Sequence, residues 1–292
     1  MNYDVRLRIA YRYEAAVSGG RHLVRVMPPT RSGVQTVVAA SLSFDPAPTE
    51  RVDHADFFGN MAAAIAYARP HDLLRIDLIA RIRVERDAVM LDVSPGLDGL
   101  QRELAGIASL APESPQHFRH ATPRVPIDAD ITAYARQAID GASSAMGIAD
   151  ALCRRIHQDF AYDAEATLVD TPVREAFDLR RGVCQDFSHV MIAALRGLGI
   201  PAAYVSGFLR TDPPAGQERL IGADAMHAWV RVWCGNEAGW LEFDPTNAVP
   251  AGDGHIVIGH GRDYSDVSPI VGVVKTSGAH ETEQAVDVVP LD

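Results

Sequence analysis

The chain has no run of about 18 or more apolar residues, so no segment of it is expected to cross a membrane as a helix. It has only three cysteines, Cys153, Cys184 and Cys234, too widely spaced for a disulfide framework or a zinc module. Positive charge is in deficit. Lys and Arg number 27 against 38 Asp and Glu, and the net charge of −11 with a pI near 5.4 speaks against a nucleic-acid or anionic-membrane binder. The opening Met1-Asn2-Tyr3-Asp4-Val5 has no basic segment followed by an apolar one, so no secretory leader is expected. There are no internal repeats and no low-complexity tract. Together these absences point to a reducing cytoplasm.

With 292 residues, 47% of them hydrophobic, the chain can bury one large core or two moderate ones. Its first segment alternates strictly, with Tyr3, Val5, Leu7, Ile9, Tyr11 and Tyr13 on one face and Asp4, Arg6, Arg8 and Arg12 on the other. That is the pattern of a half-buried strand. Further strands are predicted over 22–27, 35–44 and 74–85, with turn signals at Gly19-Gly20, Pro28-Pro29 and Gly59-Asn60. Residues 1–86 thus read as an antiparallel β domain. Residues 87–147, richer in Pro, Gly and Ser, read as a connecting region with short helices, lying on the surface of both halves. From 148 to 292 the pattern is a core with C-terminal strands. Ile148, Leu152, Ile156 and Phe160 mark one helix, and Phe187, Val190, Met191, Ala194, Leu195 and Leu198 mark the next. Strands follow over 204–209, 227–233 and 240–243, and strand-like stretches over 256–258 and 271–275. Helices followed by a sheet in one core make the fold class α+β.

The second helix carries the chemistry. Arg181-Gly182-Val183-Cys184-Gln185-Asp186-Phe187 sets Cys184 in its first turn, where uncapped N–H groups and the helix dipole favour a thiolate, the nucleophile of acyl transfer. Such a thiolate needs a base, and the base needs an orienting group. His227 opens a strand, the loop Gly235-Asn236-Glu237-Ala238-Gly239 reverses the chain, and Asp244 ends the returning strand before Pro245. A hairpin centred between Asn236 and Glu237 puts Asp244 opposite Trp229 and diagonal to His227 on one face, roughly 7 Å apart. A one-residue slip would turn Asp244 to the other face.

Gly182-Val183-Cys184-Gln185-Asp186-Phe187, His227-Ala228-Trp229 and Phe243-Asp244-Pro245-Thr246-Asn247 resemble, in this order, the core of the transglutaminase-like superfamily. The resemblance is to its bacterial members of the cysteine-protease type, and it covers most of the chain. Phe58-Gly59-Asn60 and the tail Gly261-Arg262-Asp263-Tyr264-Ser265-Asp266-Val267-Ser268-Pro269 take part in it. It implies an N-terminal β domain followed by a papain-like core. It also implies Cys184 as nucleophile, His227 as general base and acid, and Asp244 as the orienter of His227, with the Cys184 N–H in an oxyanion hole. Animal transglutaminases carry an aromatic residue after the nucleophile and calcium-binding domains; here Gln185 follows it and no calcium loop is seen, so neither calcium dependence nor protein crosslinking is implied.

Gln185, Tyr162 and Trp229 are candidate cleft or oxyanion-region residues. Tyr162 reads equally well as a helix-end aromatic in the core, and the three tryptophans as packing. Cys153 and Cys234 read as structural, and His189 as a helix-surface or core histidine. His157, His255, His260 and His280 lack metal-ligand spacing, so no metal and no cofactor is expected. The expected activity is thiol-dependent acyl transfer on an amide or isopeptide bond of a protein or peptide, through a thioester and more hydrolytic than crosslinking. Transfer to an amine, or a non-enzymatic peptide-binding or assembly module on the same fold, are the alternatives. The sequence leaves the oligomeric state open.

Overall fold

The computed structural model describes residues 1–86, 91–139, 141–211 and 224–291. The first four residues of the expected connecting region therefore lie outside the described residues.

Six strands fill the N-terminal part: β1 (Asn2–Val17), β2 (Gly20–Met27), β3 (Gln35–Asp45), β4 (Glu50–Ala55), β5 (Met61–Tyr67) and β6 (His71–Val84). The alternation of β1 is realised as read, with Tyr3, Val5, Leu7 and Ile9 inside and Arg6, Arg8 and Arg12 in solvent. Directly opposed charges hold its register against β6: Arg8 meets Asp77 at 2.7 Å and Arg81 meets Asp4 at 2.7 Å. Being exposed, each pair adds little to stability. β4 is exposed along its whole length and lies at a sheet edge, where Glu50, Arg51, Asp53 and His54 discourage pairing with another chain. Periodicity in the sequence does not reveal β4 and β5, because β4 is polar on both faces and β5 is mostly alanine.

The core begins with α1 (Leu97–Gly106), α2 (Ala129–Ala138), α3 (Ala145–Asp159), β7 (Ala161–Tyr162), α4 (Val173–Leu179), β8 (Arg181–Gly182) and α5 (Cys184–Gly197). It continues with β9 (Ala202–Leu209), β10 (Ala225–Trp233), β11 (Trp240–Asp244), β12 (Val249–Pro250), β13 (His255–Gly261) and α6 (Tyr264–Val267). The five strands from β9 to β13 form one sheet in the order β12-β11-β10-β9-β13, and α5 packs against β9 and β10 from inside a shell made by α2, α3 and α4. The residues expected to lie on the surface as a connector do not. Leu100, Leu104, Val125 and Ile131 are fully buried in the same cluster as α5, because α1 and α2 each present a narrow apolar stripe that only this core can cover.

Two further strands, β14 (Ile270–Val274) and β15 (His280–Leu291), correct the expected division at 148–292. They leave the core and return to the N-terminal part, giving two four-stranded sheets in the orders β15-β1-β6-β3 and β14-β2-β5-β4. Val286 and Val288, 1% and 0% exposed, point into the N-terminal apolar cluster, so β15 both covers the β1 edge and completes that core. Its neighbours in sequence group the tail with the C-terminal core, and pairing decides otherwise.

Two side-chain amides stitch the halves together along the outer edge of β13. Gln35 donates to the Val257 carbonyl and accepts from the Val257 N–H, both at 2.8 Å. Asn60 does the same to His260, at 2.9 Å each way. They replace the strand that this edge lacks, so its backbone groups are satisfied without exposing a pairing edge. Among the described residues no helix is long and apolar enough to cross a membrane.

Candidate active site

α5 starts abruptly at Cys184, and the residues before it explain how. At the end of α4, Arg180 adopts a left-handed backbone conformation (φ 54°) and lays its guanidinium over Phe177, Tyr134 and Phe160, at 3.9, 4.6 and 4.8 Å from the ring centroids. The chain then pairs in parallel with β7, so that Tyr162 lies beside Gly182. Gly182 has φ 154°, and a Cβ there would collide with the Asp186 carboxylate. That carboxylate reaches back to the Val183 N–H at 2.9 Å and accepts from the Thr167 hydroxyl at 2.6 Å. Burial raises its pKa, against the lowering effect of these two hydrogen bonds. Val183 itself has no side-chain acceptor, so no side chain caps the first turn and the Cys184 N–H is left uncapped.

The hairpin has the register expected of it: Val230 pairs with Phe243 and Trp233 with Trp240, which carries Asp244 across from Trp229. His227 Nε2 donates to Asp244 Oδ2 at 2.8 Å. The Cys184 thiol lies within hydrogen-bonding reach of the same ring, and with Nε2 engaged, Nδ1 is the atom left for sulfur. Burial works against charge on His227. The hydrogen bonds to Asp244 and Cys184, with the negative charge of both, outweigh it and lift the pKa to about 10. The structure thus brings Cys184, His227 and Asp244 together.

Asp244 is fully buried and saturated with donors. Its Oδ1 accepts from the N–H groups of Thr246 (2.9 Å) and Asn247 (3.2 Å). Its Oδ2 accepts from His227, from the Asn247 amide (2.6 Å) and from His255 Nε2 (3.1 Å). Burial pushes the carboxyl up, yet these bonds and the His227 charge hold it well below the usual carboxylate range. His255 has a fixed tautomer. Its Nδ1 accepts from the Gly252 N–H at 3.1 Å, so the ring proton sits on Nε2 and points at Asp244.

His227, Asp244 and His255 are also the one group of donors within 4.8 Å of one another that could hold a metal ion, among the described residues. Their hydrogen bonds argue for a different use. A cation would need the Nε2 lone pair of His255, but that atom bears the proton while Nδ1 is taken by Gly252. The cluster reads as a device for orienting His227.

The remaining predicted residues divide. Tyr162 is largely exposed and feels the charge of Cys184, so it borders the cleft rather than filling the core. Gln185 is corrected: its side chain is buried and its amide donates to the Val169 carbonyl at 2.9 Å, so it anchors a loop and is not free for an oxyanion. Trp229 is corrected too. It has no exposure, stacks on His227 (centroids 6.1 Å apart, 28° between planes) and donates to Glu242 at 2.7 Å, so it backs the histidine and cannot wall the cleft. Glu242 is in turn paired with Arg86 at 2.9 Å. Cys153 and Cys234 are buried thiols whose pKa burial raises to about 12, in contrast to the partly exposed Cys184. His189 is a core histidine that accepts from the Tyr264 N–H at 3.2 Å, its pKa lowered by burial to about 3. Sequence reasoning misses the roles of His255, Asn247 and Glu242. Asn247 lies within one of the three core motifs, whereas His255 has no spacing that marks it.

A helix-borne cysteine facing a strand-borne His and Asp defines a papain-like class of site. Family models agree with it: residues 3–85 match the bacterial transglutaminase-like N-terminal region, and residues 132–245 match the transglutaminase-like superfamily core. The chain is 36% identical to the uncharacterized protein Rv2569c of Mycobacterium tuberculosis, over 99% of this chain and 93% of that one. It is 27% identical to the uncharacterized protein ML0607 of Mycobacterium leprae, over 96% of each. Its fold matches the crystal structure of a putative cysteine protease from Cytophaga hutchinsonii with a TM-score of 0.74 at 19% identity, over 100% of this chain and 92% of the other. The chain belongs to the transglutaminase-like superfamily.

Proposed function

We propose that this protein is a thiol acyl-transfer enzyme that cleaves an amide or isopeptide bond of a protein or peptide. The observation that carries the reading is His227, held between Cys184 and Asp244 with its pKa lifted to about 10. At neutral pH the ring keeps a proton on each nitrogen and the sulfur is paired with a cation. Cys184 Sγ attacks the carbonyl carbon, and the resulting oxyanion lies against the Cys184 N–H at the start of α5. The C–N bond breaks as His227 Nδ1 gives its proton to the departing amine, leaving a thioester. Water then attacks the thioester carbon while Nδ1 takes one water proton; the C–S bond breaks to return the Cys184 thiolate, and the acid leaves as a carboxylate with its proton going to solvent.

Hydrolysis is preferred to transfer to an amine because the chain resembles bacterial members of the cysteine-protease type, and its fold matches that of a putative cysteine protease. The three free thiols favour a reducing, cytoplasmic location, which cell fractionation reads directly. The test of the main reading is to trap an acyl-enzyme from cell extract and identify it by mass. A thioester adduct on Cys184 gives the acyl donor, and supply of an amine during turnover separates transfer from hydrolysis. Lys275 is the protein's one lysine, so self-labelling is a low background. Full turnover of the identified substrate by Cys184→Ala would sink the nucleophile assignment, whereas binding of the substrate with neither turnover nor a Cys184 adduct would leave a peptide-binding module in its place.

A further inference from the structure

A cleft of about 670 Å³ opens between the N-terminal sandwich and the five-stranded sheet. Arg231, in its wall, shares a face of β10 with His227 and stands four residues further on, about 13 Å along the strand. Among the described residues the cleft's charges do not balance locally. Asp56 is paired with Arg25 at 3.4 Å, and Glu242 with Arg86 at 2.9 Å. That leaves Arg31 and Arg231 to share Glu113. Arg231 donates to Glu113 Oε2 at 2.6 Å, while Glu113 Oε1 lies 3.7 Å from Arg31 and 3.5 Å from His260 Nε2. The Arg31 Nε and His260 Nε2 atoms are buried and make no hydrogen bond.

The two signs of charge are held differently. The Arg31 and Arg231 side chains are 16% and 18% exposed, beside an uncharged His260 at 2%; Glu113, on a turn, is 52% exposed. Arg31 is fixed by Asn60 at 3.1 Å, and Arg231 lies over the Trp240 ring at 4.9 Å. Rotating the Glu113 side chain takes its carboxylate into water without moving backbone, whereas the cations have nowhere to go. Phe57 and Phe58 add an aromatic wall beside the charges.

We propose that this cleft is a carboxylate-binding site, closed in the free protein by Glu113 as an internal stand-in, and that its ligand carries the carboxylate on an apolar body. Two oxygens of a carboxylate satisfy the spacing that Glu113 shows, one on Arg231 and one towards Arg31 and His260. The apolar body rests on Phe57 and Phe58. The site stands apart from the reading of Cys184 and is tested without it.

N-Acetyl-phenylalanine is the probe and its amide, which lacks the charge, is the control. Isothermal titration is expected to show the acid binding at least about ten-fold more tightly than the amide. Glu113→Gln, which removes the competitor, tightens the acid by about ten-fold, and Arg231→Gln weakens it by a similar factor. Melting temperatures of both variants confirm that they fold. Equal binding of acid and amide overturns the anion site. Failure of the acid to bind Glu113→Gln protein that melts like the wild type overturns it as well. Unchanged affinity in Glu113→Gln overturns the stand-in. If Arg231→Gln unfolds, Arg31→Gln serves in its place, with the same loss expected.

Discussion

Two buried histidines beside the same sheet have opposite fates. His227, on β10, faces a carboxylate and a thiol, and its pKa is lifted to about 10. His260, on β13, is pushed down to about 2, first by burial and then by the charges of Arg31 and Arg231. Both rings are well shielded from solvent, so burial alone does not separate them. The neighbours do. At the Asp244 end both carboxylate oxygens are held by several donors and the anion is locked in. At the Glu113 end the cations are locked in and the anion is on a movable arm. The first arrangement suits holding a proton in one place; the second suits exchange of one anion for another.

The largest test of that contrast is Asp244→Asn. Removing the negative charge leaves burial to dominate at His227, and turnover of the trapped substrate should fall by about 10³- to 10⁴-fold. In the wild type the general acid is lost as pH rises through the raised value, so the alkaline limb of kcat/KM should lie near pH 10. In Asp244→Asn the ring proton, followed by NMR, should leave well below that. An unshifted ring titration would mean that Asp244 does not govern His227.

Next in size is Arg86→Met. It leaves Glu242, whose side chain is only 10% exposed, with the Trp229 indole as its remaining side-chain donor, and should cost about 3 kcal/mol by urea denaturation. A loss below about 1 kcal/mol would show that water reaches Glu242. His260 gives a smaller, pH-dependent effect. Its folded pKa is below the unfolded one, so its contribution to stability is present above about pH 6.5 and is lost as pH falls towards the folded value. His260→Gln should therefore flatten the acid side of the stability curve by on the order of 1 kcal/mol per pH unit. Smallest is Glu113→Gln, with a change in stability under about 1 kcal/mol, because the pair it breaks is half in solvent. A larger loss would mean that Glu113 is a structural pillar of the cleft.

Much of the candidate active site is legible in the order of the amino acids. Period-two alternation in β1 and the helical spacing from Phe187 to Leu198 are local, and a hairpin with a short loop fixes its own register. Cys184, His227 and Asp244 are therefore placed by patterns that span a few residues each. His255 escapes such a reading because turn signals mark where the chain bends after Asp244 but not that it folds back to aim His255 at that carboxylate. Arg86 escapes it because its partner lies in another part of the chain, and so do Gln35 and Asn60, whose partners are 222 and 200 residues away.

By itself the sequence determined the strand and helix periods, the helix start that carries Cys184, and the hairpin that carries His227 and Asp244, because each follows from local spacing and turn chemistry. Only the tertiary structure decided that α1 and α2 belong to the transglutaminase-like core and that β14 and β15 belong to the N-terminal sheets. It alone decided as well that Asp244 serves two histidines and that Arg31 and Arg231 compete for one glutamate. Those outcomes depend on which distant surfaces are buried against each other, and burial is what turns a neighbouring charge into a shifted proton.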